Sequence, residues 1–255
     1  MTQTRRHFLT TAALAGTVTL LPYRLRAEGH AADTFATPSG DVTIHPVSHA
    51  SFVMETPLGT IHVDPVGGAE LYADLPPPDL ILITHEHGDH FNADTLTALM
   101  AGGPALITNP AVAGMLPDGM AATAVLANGE ASDWNGVTID AIPAYNITED
   151  RLNFHPQGRD NGYVITLPGF RVYVSGDTED IPEMRALENI DLAFVCMNLP
   201  FTMDASAAAS AVNDFAPTYV YPYHYRGRDN GTQDPAEFAG MLNDGIEARM
   251  GGWYG

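Results

Sequence analysis

From about Gly40 onward the apolar positions fall in short runs of β type: Val42-Thr43-Ile44, Ser51-Phe52-Val53-Met54-Glu55 and Thr60-Ile61-His62-Val63-Asp64. Pro57 to Gly59 separates the second run from the third, as a hairpin would. Three prolines, Pro76 to Pro78, lead into Asp79-Leu80-Ile81-Leu82-Ile83-Thr84, a continuous apolar run that reads as a central strand buried on both faces. Asn92 is an N-cap for a helix through about Met100, residues 105–108 form a strand, Pro110 opens another helix, and residues 124–126 return as a strand. Asn135-Gly136 predicts a hairpin between Trp134 and residues 137–142, and Pro168-Gly169 a second one between residues 163–167 and 170–174. The last third alternates helix and strand, at 182–187, 191–197, 205–215, 218–223 and 235–242. Antiparallel hairpins early in each half, followed by helix and strand, predict an α/β architecture of two sheets sandwiched between helices.

Ahead of this pattern, residues 28–40 read as a polar linker of small residues. The chain opens with Thr4-Arg5-Arg6-His7-Phe8-Leu9 and an apolar, uncharged run from Phe8 to Leu21. That is the pattern of a twin-arginine signal and its hydrophobic region, too short to span a bilayer comfortably, which takes roughly 20 apolar residues. Residues 1–32 are therefore expected to be a signal and cleavage region, with the twin-arginine export machinery as a partner and the periplasm as destination. Residues 33–255 are expected to form one domain, since 255 residues suit one large α/β domain better than two small ones.

The charge narrows the choice of partner. Eleven arginines and no lysine face 31 acidic residues, for a formal net charge of −20, so nucleic acid is not expected. The single Cys196 cannot form an intramolecular disulfide and sits in the apolar run Leu192-Ala193-Phe194-Val195-Cys196, where a buried small hydrophobe is expected.

Chemistry concentrates in Thr84-His85-Glu86-His87-Gly88-Asp89-His90, where the buried strand runs out into a loop. Period-two alternation would point His85 and His87 to one side, able to hold one metal together, while Gly88 lets the backbone turn Asp89 and His90 toward a second. Imidazole and carboxylate suit Zn²⁺ and similar divalent ions, Mn²⁺ and iron among them. Three histidines and an aspartate within six residues would be mutually uncompensated without a metal.

An HxHxDH motif after an apolar strand resembles the signature of the metallo-β-lactamase superfamily. The similarity extends through Ser48-His49-Ala50-Ser51-Phe52, Val63-Asp64-Pro65, Ser175-Gly176-Asp177-Thr178 and Pro222-Tyr223-His224-Tyr225. The branch it most resembles includes relatives of the ascorbate-6-phosphate lactonase and of the N-acyl phosphatidylethanolamine phospholipase D. The resemblance implies a four-layer αβ/βα sandwich of two mixed sheets. It implies that His85 and His87 bind a first metal, Asp89 and His90 a second, that Asp177 bridges them, and that His224 completes the second. The third ligand of the first metal departs from the pattern: many members place a histidine where this chain has Tyr145-Asn146, so His155 is the candidate, with Tyr145 or Asn146 as the alternative.

The mechanism expected from this set uses a hydroxide held by two divalent ions, because coordination lowers the pKa of water to roughly 7. Asp89 or Asp177 would orient it, and Tyr145, Tyr223 or Tyr225 could donate to the developing oxyanion. For each tyrosine, packing in an aromatic cluster is the competing reading. Asp64 reads as a partner for a ligand histidine and His49 as a residue of the same kind or of the pocket, whereas Glu86 is expected to be exposed and His45 and His62 structural. Arg226 and Arg228 follow His224 in a Gly-rich stretch and could grip an anionic small-molecule substrate, with Arg159 at the same entrance; surface ion pairs are the alternative. An ester, lactone, amide or phosphodiester would suit such a hydrolase. An iron-binding oxidoreductase and a non-catalytic metal-binding protein are the alternatives, and the superfamily name is no evidence for β-lactam cleavage.

Overall fold

Two sheets of seven strands each, built alike, make up the computed structural model, which describes residues 32–254; the expected export signal lies outside them. The first sheet runs, in spatial order, β1 (Asp33–Thr37), β2 (Gly40–Ser48), β3 (Ser51–Thr56), β4 (Gly59–Val63), β5 (Leu80–Leu82), β6 (Ala105–Thr108) and β7 (Ala124–Val125). Strands β1 to β4 form an antiparallel meander and β4 to β7 are parallel. The second sheet repeats the plan with β8 (Ala131–Trp134), β9 (Val137–Ala144), β10 (Asp160–Leu167), β11 (Phe170–Val174), β12 (Leu192–Cys196), β13 (Tyr219–Tyr223) and β14 (Glu247–Ala248). Its first four strands are antiparallel and its last four parallel.

Five short helices follow parallel strands: α1 (Ala93–Leu99), α2 (Pro110–Ala113), α3 (Pro182–Arg185), α4 (Ala205–Phe215) and α5 (Pro235–Gly240). Asn92, Asn109, Asp204 and Asp234 cap α1, α2, α4 and α5 by accepting a backbone N–H in the first turn. Helices α3 and α5 end two residues sooner than the apolar pattern suggested. Between the sheets, alternate residues of the strands interlock; Phe52 stacks on Phe194 at 4.0 Å between ring centroids, joining β3 to β12. Side chains of this size contribute about 1.5–3 kcal/mol each on full burial. Strand β5 is buried on both faces as expected: Leu80 and Leu82 enter this central core, while Ile81 packs on the outer side with Leu96, Leu106 and Val112 beneath α1 and α2.

The stretch read as a linker contains β1 instead. Only Phe35 of that strand is buried, against Phe170, Tyr219 and Tyr221, so a strand anchored by one aromatic left little apolar pattern. Strand β14, two residues long, was likewise not anticipated.

Candidate metal centre

Strands β2, β4 and β5 in one sheet and β9, β11, β12 and β13 in the other all run toward the same edge, so the segments leaving their carboxyl ends meet there. That edge gathers His49 from the β2–β3 turn, Asp64 after β4, His85 to His90 after β5, His155 from the loop after β9, Asp177 after β11 and His224 after β13. His49, Asp64 and His224 have positive φ angles of 55°, 45° and 46°. Left-handed backbone at a residue other than glycine costs on the order of 1–3 kcal/mol, and here it clusters at one site.

The donors fall into groups. Ligand atoms of His85, His87 and His155 lie within 4.8 Å of one another, as do those of His85, His90 and Asp177, and those of His49, Asp89 and His224. Asp177 stands between them: its Oδ1 lies 3.4 Å from His90 Nε2 and 3.3 Å from His224 Nε2, and its Oδ2 3.4 Å from His155 Nε2. Asp89 Oδ2 lies 3.4 Å from His224 Nε2.

The outward ring nitrogens of His85, His90 and His155 are tied down, whereas His224 Nδ1 is buried without a partner among the described residues. His90 Nδ1 donates to Asp64 at 2.8 Å, and His155 Nδ1 donates to Asp160 at 3.0 Å. The Thr84 hydroxyl donates to Asp64 at 2.7 Å and lies 3.0 Å from His85 Nδ1. Each of these contacts fixes a ring orientation and turns Nε2 inward, an arrangement typical around metal ligands.

Electrostatics follow from burial and proximity. Burial, reinforced by His90, His155 and His87, holds His85 well below the usual imidazole range, so it is neutral and able to coordinate. Burial works against charge on His90, yet Asp177 and Asp64 hold it well above the ordinary value. Burial opposes charge on Asp177 too, but His224 and His90 keep its carboxyl well below the usual range. His85 Nε2, His90 Nε2 and Asp177 Oδ1 are buried without a hydrogen-bond partner among the described residues. Unpartnered buried polar atoms are costly, and three of them converging beside neutral imidazole and ionised carboxylate form a donor set that fits divalent ions.

Several expectations are corrected by the geometry. Strand β5 ends at Leu82, so His85 and His87 are oriented by a turn, in which the N–H groups of His90 and Phe91 donate to the His87 carbonyl, and not by strand alternation. Gly88 has no left-handed backbone and nothing within 4 Å of an added Cβ, so the turn does not require it. Glu86 is half-buried and paired with Arg159 at 2.9 Å; Arg159 also binds Asp160, so it braces the site where an entrance role was expected. Asn146 spends its side-chain N–H groups on the carbonyls of Arg151 and Phe201. The Tyr145 hydroxyl donates to Glu183 at 3.0 Å. Tyr223 is fully buried among Phe52, Phe194 and Trp253, so its hydroxyl is closed to any substrate.

His155 returns to the edge because its loop is pinned. Buried Glu179 accepts the N–H groups of Ile147 and Thr148 and a guanidinium N–H of Arg151, and Asn146 N–H donates to the His155 carbonyl at 2.8 Å. Glu179, Asp160 and Tyr254, whose hydroxyl lies 2.7 Å from His49 Nδ1, escaped the sequence reading because their partners are distant or in irregular loops. Arg226 stacks on Tyr254, and Arg228 on Phe201; neither meets an acid among the described residues.

Over residues 43–224 the chain matches the beta-lactamase superfamily domain, and it belongs to that superfamily. It is 32% identical over 173 residues to the UPF0173 metal-dependent hydrolase of Thermococcus onnurineus, covering 66% of this chain and 76% of that protein. A solved structure from Parabacteroides distasonis, named as a metal-dependent hydrolase, matches with a TM-score of 0.77 and 40% identity over 87% of this chain and 98% of that one. The chain is accordingly a metal-dependent hydrolase of the metallo-β-lactamase fold. CmlA, a diiron β-hydroxylase from Streptomyces venezuelae, shares the fold alone, with a TM-score of 0.61 and 19% identity over 84% of this chain and 53% of that one.

Proposed function

We propose that the protein is an exported hydrolase that uses two divalent ions, zinc by the preference of its donors, to cleave an ester, lactone, amide or phosphodiester in a small anionic substrate. The observation that carries this reading is Asp177, which turns one carboxylate oxygen toward His155 and the other toward His90 and His224. His85, His87 and His155 would hold the first ion, Asp89, His90 and His224 the second, and Asp177 both.

Two such ions, when bound, polarise the scissile oxygen and lower the pKa of water to about 7. Asp89 is 45% exposed while Asp177 is nearly closed off, so Asp89 is the carboxylate placed to orient water arriving from solvent. Arg226 and Arg228, exposed just past His224 and not paired with acids among the described residues, would bind the anionic group of the substrate. Export rests on Arg5-Arg6 and the apolar run after them; replacing both arginines by lysine should hold the chain in the cytoplasm on cell fractionation.

The test of the centre is elemental analysis of the full chain purified without added metal, beside His155→Ala and a panel of the four bond types. About two zinc equivalents falling toward one in the variant, with turnover of one bond class, is the expected result. No metal in either sample would sink the reading, and iron with no hydrolysis would favour the oxidoreductase alternative.

A further inference from the structure

We infer that His49 is itself a ligand of the second ion, so that this position takes three histidines and two carboxylates where the first takes three histidines and Asp177. The inference rests on the two-ion reading above. His49 Nε2 lies 3.3 Å from Asp89 Oδ2, and its ligand atom lies within 4.8 Å of those of both Asp89 and His224. Its ring sits 3.9 Å from the His224 ring between centroids.

The spacing is that of donors sharing one ion. Where a side chain in this site holds a ligand from behind, its nearest contact is short: 2.8 Å for His90 to Asp64, 3.0 Å for His85 to Thr84 and 3.0 Å for His155 to Asp160. Where two side chains converge on the shared space, the distances are longer: 3.4 Å for His90 to Asp177, 3.3 Å for His224 to Asp177 and 3.4 Å for His224 to Asp89. Donors sharing one ion at about 2.0–2.2 Å are held roughly 3–3.5 Å apart by that sharing. His49 to Asp89 belongs to the second group.

The other ring nitrogen behaves accordingly. His49 Nδ1 lies 2.7 Å from the Tyr254 hydroxyl, which can accept its proton; in that tautomer Nε2 is left as the free lone pair facing Asp89 and His224. Tyr254 is fixed in turn by the Arg226 guanidinium over its ring at 4.3 Å and by the adjoining Trp253, whose indole N–H donates to the Ser51 carbonyl two residues beyond His49. The segment Gly251 to Tyr254 thus supports a ligand from behind, as Asp64 and Asp160 do elsewhere in the site. Five protein donors leave at most one further position on a six-coordinate ion, which makes the second site more hospitable than the first to ions that favour six oxygen and nitrogen donors.

The experiment is proton NMR of the full chain, stripped of metal and reloaded with two equivalents of Co²⁺, in which each ligated imidazole gives a strongly shifted, solvent-exchangeable N–H signal. His85, His87, His90, His155 and His224 give five such signals; a sixth is expected in the wild type. That sixth signal should vanish in His49→Asn, chosen because asparagine tolerates the left-handed backbone of this position. In Tyr254→Phe it should persist but exchange faster with solvent. Uptake of two equivalents with five signals in both wild type and His49→Asn overturns ligation by His49, even if Co²⁺ binds more weakly in the variant, because a residue that merely orients Asp89 would also weaken binding by about 10–100-fold. Should the wild type take up fewer than two equivalents, the two-ion reading fails first and this inference with it; the wild-type count decides the matter even if a variant does not fold.

Discussion

His62 in β4 has no accessible surface; its Nε2 donates to the Pro76 carbonyl at 2.9 Å, its ring stacks on Tyr72 at 5.4 Å, and its Nδ1 is buried without a partner. A proton on Nδ1 would be an unsatisfied buried donor, and burial accordingly pushes the imidazole down to about 4. Between that value and the ordinary one of about 6.5, the unfolded chain holds a proton that the folded chain does not. Stability from this residue is therefore complete above about pH 6.5 and is lost as pH falls toward 4, by roughly 3 kcal/mol in all. Urea unfolding at pH 7, 5.5 and 4.5 should show that decline, and His62→Gln should flatten it; equal slopes in the two proteins would remove His62 from the account. The contrast with His85 and His90 is instructive, because those imidazoles are equally buried but turn unpartnered nitrogens toward carboxylate and toward one another. At this scale the motif from His85 to His90 was legible, since its donors sit within six residues, whereas Asp160 and Tyr254 were not: an aspartate at the start of a strand and a tyrosine in Gly251-Gly252-Trp253-Tyr254 carry no local sign of what they touch.

Strand β10 is the element that carries the site's second half into register. It pairs with β9 on one side and β11 on the other, and Gly162 lies where an added Cβ would stand 2.7 Å from the Val174 carbonyl oxygen and 2.8 Å from that of Ser175. Those atoms belong to the backbone leading into Asp177, so nothing can rotate away. Gly162→Ala should cost about 1–3 kcal/mol in denaturant unfolding and lower metal retention together with it, because relieving the clash moves the Asp177 turn. Full stability with intact metal content would show that the two strands can separate at no cost. Strand existence was readable from apolar runs, but lengths were not. Strand β5 stops at Leu82 although the apolar run continues, because Ile83 N–H still pairs with Ile107 while the Asp64 carboxylate takes Thr84 N–H at 2.7 Å.

Across the whole molecule, Trp253 joins the two sheets. Its ring is 3% exposed and packs edge-on against Phe194, Tyr221 and Tyr223 of the second sheet, while its N–H donates to Ser51 of the first. Trp253→Ala should destabilise the protein by about 3–5 kcal/mol, the range for removing a large buried aromatic, and a fall in melting temperature would register it. A loss below about 1 kcal/mol would mean that the sheets hold together without this bridge.

Taken alone, the sequence determined the fold class, the pairing of hairpin and helix–strand halves, and the presence of a clustered His/Asp donor set. Each of these is written in patterns of a few residues, where strand period, turn chemistry and motif spacing act directly. The tertiary structure decided which residues face one another. It brought His155 back through a loop pinned by Glu179, paired the Tyr145 hydroxyl with Glu183, buried Tyr223 completely, and set His49 and Tyr254, 205 residues apart, at 2.7 Å. Those outcomes depend on packing between elements remote in the chain, and no local pattern of apolar and polar residues encodes a contact between two loops that only the closing of the sandwich brings together.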